Sequence, residues 1–438
     1  MSSRNKIDGQ YNYALLAGSA VGAIAFAVFA LPSAALAQDE CGAAPVNGGT
    51  VTCNSGGNPY PNGVTYVAPP EDLTIVLSDG VVINTTGGLN PGVLALGTGD
   101  NAITVAGGTN TLITTDAQGA FGVLGATTSG ALSLTLDRIV TSGNNATGIF
   151  ASSESGQIRV KANTISTSGS AADGVNATTN RSAIAIDAGT ITTAGLGARG
   201  IVAQSDVGNI TINADTVTTR GATNGASGIV ATTGGIGNVT INARSVTTAG
   251  ANAAGISAQT FDGIASLRAT AVTTAGANAD AINVRANSGR VDINAGTIVT
   301  SGVNSRGIVA TGNEGVAIAF GSVSTAGDGA TGVFVPAGIR FFGPIATTSA
   351  NIVGGNVSTS GMNADGVFAA VAGGDLNVAV NDVRVTGTNS TAITATSDTG
   401  NVSVSSTGTV AATGRNGGGI LPPRAPATLS SSPTTSAR

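Results

Sequence analysis

Short apolar runs with a period of two recur along this chain, each bounded by Gly and Asn. Three kinds of run follow one another in fixed order. The first is Val/Ile-Thr-Thr ahead of a glycine, as in Val246-Thr247-Thr248 before Gly250. The second is Gly-Ile/Val-x-Ala, as in Gly200-Ile201-Val202-Ala203 and Gly307-Ile308-Val309-Ala310. The third is Ile/Val-x-Ile, as in Ile210-Thr211-Ile212, Val239-Thr240-Ile241 and Val291-Asp292-Ile293. Alternation over β-branched residues between turn residues is a strand signal. Beyond the N-terminal apolar run, no window carries the 3.6-residue period of a helix.

The runs repeat as a block. Residues 246–256 return almost unchanged as 272–282 and more loosely as 298–308. The marker glycines are Gly143, Gly169, Gly195, Gly221, Gly250, Gly276, Gly302, Gly327, Gly361, Gly387 and Gly414. The steps between them are 26, 26, 26, 29, 26, 26, 25, 34, 26 and 27 residues. Weaker copies at Gly87 and Asp116 carry the series toward the N-terminus. A fixed period of this size marks a solenoid. Three strands and three turns per unit predict an all-β parallel β-helix of about thirteen coils, with roughly 26 residues and three short strands in each. At roughly 4.8 Å per coil the rod would be roughly 60 Å long.

Stacked coils place like residues in columns. Ile139, Ile165, Ile191, Val217, Val246, Val272, Ile298, Val323, Val357, Val383 and Val410 share one repeat position and predict an interior apolar ladder. Two residues on, Thr141, Thr167, Thr193, Thr219, Thr248, Thr274, Thr300, Thr325 and Thr359 point to the same side, where stacked hydroxyls could bond one another. Asn145, Asn252, Asn278, Asn304, Asn363, Asn389 and Asn416 follow the marker glycine by two. Asn tolerates positive φ, and its amide can bond the equivalent amide one coil away. The period slips by three residues before Gly250 and by eight before Gly361, around Pro336 to Pro344. Such gains become surface loops. The second holds Arg340, Phe341 and Phe342, either a candidate contact loop in an aromatic-poor chain or, the preferred reading, apolar residues that fold back over an imperfect coil.

The ends read differently. Residues 1–37 have Arg4 and Lys6 ahead of an apolar run from Ala14 to Leu31, then Pro32 and Ala35-Leu36-Ala37. That is a secretory signal with cleavage expected between Ala37 and Gln38; an uncleaved membrane helix is the alternative. Residues 38–70 predict an irregular N-terminal cap. Cys41 and Cys53, exported and close in sequence, predict one disulfide. The array proper is expected over 71–420. Residues 421–438, with Pro422, Pro423 and Pro426, lose the register and predict a disordered tail.

Composition narrows the chemistry. Only 9% of residues are charged, His and Trp are absent, and the net charge is −5. Without His the Ser-His-Asp arrangement and the commonest general base are gone. No basic stripe exists to neutralise phosphates, so nucleic acid is not an expected partner. Mean hydropathy of +0.29 and the registered Val and Ile argue against a disordered chain. Two thiols fall short of a zinc set, the glycine-rich calcium nonapeptide does not occur, and Asp280, Asp328 and Asp365 stand isolated near equivalent corners. No cofactor or metal is expected.

The Ala35-Leu36-Ala37 signal end, the early Cys41-Gly42-Ala43-Ala44-Pro45 and Asn58-Pro59-Tyr60-Pro61-Asn62-Gly63 segments, and the Thr/Gly/Asn-rich coils together resemble an autotransporter passenger of a Gram-negative bacterium. The resemblance covers roughly residues 1–420. It implies a right-handed parallel β-helix delivered to the cell surface by a C-terminal transmembrane β-barrel. Ten-residue alternating strands with aromatic girdles are not found after Ile420. The chain as it stands is therefore expected in the periplasm, associating through the uncovered edges of its last coil, and a longer form at the outer membrane. Two functions follow. One is a non-enzymatic adhesin or structural rod that binds a surface ligand or itself. The other is a polysaccharide-active β-helix enzyme of the pectate-lyase kind, which needs clustered Asp, Arg or Lys on one face. The charges look scattered along the sequence, and the first reading is preferred.

Overall fold

The computed structural model describes residues 40–69, 71–222, 225–336 and 349–421. The signal end at Ala37 and Gln38, the loop residues Arg340, Phe341 and Phe342, and the tail from Pro422 lie outside the described residues. No helix among the described residues is long and apolar enough to cross a membrane.

The chain forms a parallel β-solenoid. Among the described residues one sheet has 14 strands, one for each coil, and a second has 18. Among the described residues every strand pair is parallel and joins residues one repeat apart, as in Ile201 beside Ile229 and Ile191 beside Val217. Coils therefore stack with like on like. The 14-stranded sheet is made mostly of five-residue strands such as Ile201–Ser205.

The three separate strands expected per coil are not what forms in the middle of the rod. From Leu132 to Thr359 two of the runs fuse into one strand of ten or eleven residues, such as Ile184–Thr193. Its burial alternates through Ile184, Ile186 and Ala188, then shifts phase by one residue and resumes at Ile191 and Thr193. Gly189 drops out of the ladder at that point, so the strand bends without being interrupted. Toward each end the same stretch separates into two, as in Leu73–Leu77 and Val82–Thr85, or Leu376–Val380 and Val383–Val385.

The solenoid begins before the expected boundary at residue 71. Gly49–Cys53 already pairs with Leu73–Leu77, and Val64–Val67 with Val93–Leu96. Between them the Asn58 side chain acts as a peptide unit, donating to the Gly80 carbonyl and accepting from the Val82 amide. Cys41 and Cys53 are joined as a disulfide with Cα atoms 4.7 Å apart. The Tyr66 hydroxyl, donating to the Gly42 carbonyl at 2.7 Å, holds the same cap down. At the other end Gly418–Leu421 pairs with the strand that contains Thr391 and Ile393.

The core is a single file of columns. Ile139, Ile165, Ile191, Val217, Val246, Val272, Ile298, Val323, Val357 and Val383 are all at most 1% exposed. Val410 pairs in register with Val383 but is only half-buried, and among the described residues no later strand pairs with its own. The threonines Thr141 to Thr359 are buried as well, yet their hydroxyls do not bond along the column. Each donates instead across the turn of its own coil: Thr141 to the Ala146 carbonyl, Thr167 to Ala172, Thr193 to Ala198 and Thr274 to Ala279, at 2.5–2.8 Å. The hydroxyl satisfies a carbonyl that the turn aims inward, where no water or strand could reach it.

Turns obey equally simple rules. Asn145, Asn252, Asn278, Asn304, Asn363, Asn389 and Asn416 all have φ between 52° and 57°. Amides bond from coil to coil at Asn304 to Asn278 and Asn416 to Asn389. The marker glycine is required for another reason: a Cβ on Gly169 or Gly195 would strike the backbone carbonyl of the preceding coil's marker glycine. The three residues gained before Gly250 divide between two corners. The Thr219 to Ala226 bond spans seven residues where its equivalents span five, and Thr233 to Gly237 spans four where Thr260 to Gly263 spans three.

Candidate functional site

Asp280, Asp328 and Asp365 are corner staples rather than members of a shared cluster. Each carboxylate accepts the backbone N–H of the next coil: Arg306 on Asp280 at 2.8 Å, Met362 on Asp328 at 2.8 Å and Thr391 on Asp365 at 2.6 Å. Asp173 does the same for Arg199 and also holds its guanidinium at 2.7 Å. Burial raises the carboxyls of Asp280 and Asp365 above the ordinary aspartate value, and the backbone N–H bonds pull the other way. Asn144, Asn209 and Asn238 make the same coil-to-coil bond without charge. Among the described residues no group of three His, Cys, Asp or Glu is placed to hold a metal ion.

Two outer surfaces have more character. On the 14-stranded sheet the Phe334 and Phe368 rings stack with centroids 5.1 Å apart, and the Arg306 guanidinium sits 4.1 Å above Phe334. Phe121 and Phe150 make a second ring pair nearer the N-terminus, at 5.5 Å. Phe150, Phe334 and Phe368 each occupy the outward x of the Gly-Ile/Val-x run, whereas Phe121 lies ahead of Gly122.

The other surface is a groove of about 890 Å³ at the bend of the long strands. Ala162, Ala188, Ala214, Ala243 and Ala269 line it, so the backbone lies close to its surface. Lys161, Asp187, Asn213, Asn242, Arg268 and Asn294 form one wall and fall in strict register, each beside the next. Asn163, Asp215, Arg244 and Thr270 belong to the other. Asn213 donates to Asp187 at 2.7 Å and Asn242 to Asn213 at 2.9 Å. Arg244 pairs with Asp215 across 3.3 Å, both well exposed. The charges that look scattered in sequence thus converge: five of them line one groove because they sit at equivalent offsets of successive coils.

Of the residues singled out from sequence, the valine-isoleucine, threonine and asparagine columns are brought together as structural ladders. The groove residues were not singled out, although the alanine repeated at 162, 188, 214, 243 and 269 is the signal that could have found them. Compared with known proteins, the chain matches no family model, no curated protein and no solved structure.

Proposed function

We propose that this chain is an exported, non-enzymatic β-helical rod of the autotransporter-passenger kind, acting at the cell surface as an adhesin or spacer. The observation that carries the reading is the division of labour between inside and outside. The threonines of the Thr141-to-Thr359 column and the capping Asp and Asn residues are engaged in closing a coil or fixing it to its neighbour. The outer wall of the bend displays a mixed polar surface. The signal-like Ala35-Leu36-Ala37 and the joined Cys41 and Cys53 support export.

The groove supports the second reading, a polysaccharide-active enzyme, because its charges are gathered on one face. Its two carboxylates are already engaged, Asp187 with Asn213 and Asp215 with Arg244, which suits holding a ligand more than moving protons. The test is a glycan array probed with the exported protein, with lyase and hydrolase products assayed from the same glycans. Binding without product release is expected. Release of unsaturated or shortened sugars would overturn the non-enzymatic reading.

A further inference from the structure

The bend groove has three features that together specify a ligand. The first is its shape. Its lining takes one outward side chain from each of six successive coils, Lys161, Asp187, Asn213, Asn242, Arg268 and Asn294. The open stretch therefore covers six coils, or roughly 24 Å at ~4.8 Å per step. The step is close to the rise of one ring in an extended pyranose chain.

The second is its chemistry. Side-chain amides and carboxylates face the groove, the groups that pair with sugar hydroxyls. The backbone beneath is already paired in parallel ladders, which leaves a peptide no strand edge to join. Among the described residues no aromatic ring lines it, which disfavours single-stranded nucleic acid.

The third is its charge. Lys161 and Arg268 belong to one wall, four coils apart, and neither has an ion pair or hydrogen bond among the described residues. With Arg244 they outnumber Asp187 and Asp215, so the groove is net positive in a chain whose net charge is −5. Lys161 is one of only two lysines, the other being Lys6.

We propose that the groove binds an extended polyuronate lying along the rod axis, rings in step with the coils, with carboxylates held by Lys161 and Arg268. This rests on the adhesin reading and names the ligand class for it.

The test is calorimetry on the exported full-length protein with hexagalacturonate as the acidic probe and maltohexaose as the neutral one. Hexagalacturonate should bind, maltohexaose should not, and raised salt should weaken the acidic probe. The double variant Lys161→Glu/Arg268→Glu, at exposed positions, should keep the wild-type far-UV spectrum and lose at least about tenfold in affinity. Equal affinity in wild type and double variant, or equal binding of the neutral probe, overturns the proposal. Array glycans still bound normally by the double variant would leave the adhesin reading standing while the groove fails. Product release by wild type, with binding lost in the variant, would overturn the non-enzymatic reading and leave the groove.

Discussion

Thr167 shows how the solenoid uses a residue. Its methyl fills the core beside Ile165, and its hydroxyl donates to the Ala172 carbonyl at 2.5 Å. Thr167→Val keeps the shape and removes the donor, so a buried carbonyl is left without it. The expected cost is about 1–3 kcal/mol, read as a drop in the denaturant midpoint. Thr167→Ser keeps the donor and should lose less of the hydrogen-bond contribution. The column itself ends in a buried valine, Val385, in the coil after Thr359. Asp365 makes a different case. Its carboxyl caps the Thr391 amide, but burial raises its pKa in the folded chain above 3.8. A raised carboxyl binds protons better folded than unfolded, so its ionisation opposes folding above the folded pKa, and that penalty fades as pH falls through the folded pKa toward 3.8. Asp365→Asn, which can still accept the N–H as Asn238 does for Ile264, should be at least as stable as wild type at pH 7. The difference in melting temperature should shrink as pH is lowered through that window. A difference that widens on acidification would contradict the account.

At the scale of the strand, inside and outside alternate by one residue. Ile191 is 1% exposed, while Thr192 beside it is half-exposed. Ile191→Asp would bury a charge with no partner and should cost several kcal/mol. Thr192→Asp should cost well under 1 kcal/mol as a surface substitution. Equal losses in thermal melts would mean the strand faces are misassigned. Much of this was legible beforehand. Period-two runs, the columns of Ile/Val, Thr and Asn, and the recurrent glycine each follow from a local requirement that one repeat can display. Other features were not. The fusion of two runs into Ile184–Thr193 depends on a bend at Gly189 that keeps the ladder intact, and no turn residue announces it in Ala214-Asp215-Thr216. The hydroxyls close turns instead of stacking because a carbonyl is nearer, a fact of three dimensions. The early start at Gly49 was hidden because Asn58 replaces a peptide in the ladder. The groove was missed for a related reason: Lys161, Asp187 and Arg268 are far apart until the register brings them to one wall.

As a whole the molecule is a one-dimensional stack. Each coil touches mainly its two neighbours, and stability should be a sum of coil and interface terms. Length is then adjustable in units of one repeat and in nothing smaller. The central claim is that the 26-residue step is a physical coil, and deletion tests it most directly. Removing residues 250–275 joins Ala249 to Gly276 and restores the sequence Thr-Thr-Ala-Gly-Ala-Asn, with one coil fewer. Removing half as many residues from the same start puts interior columns over surface positions. The account predicts that the full-repeat deletion keeps an all-β far-UV spectrum and one cooperative melt near that of wild type, while the half-repeat deletion melts far lower or fails to fold. If both deletions are equally damaging, the chain is not built of stacked 26-residue coils.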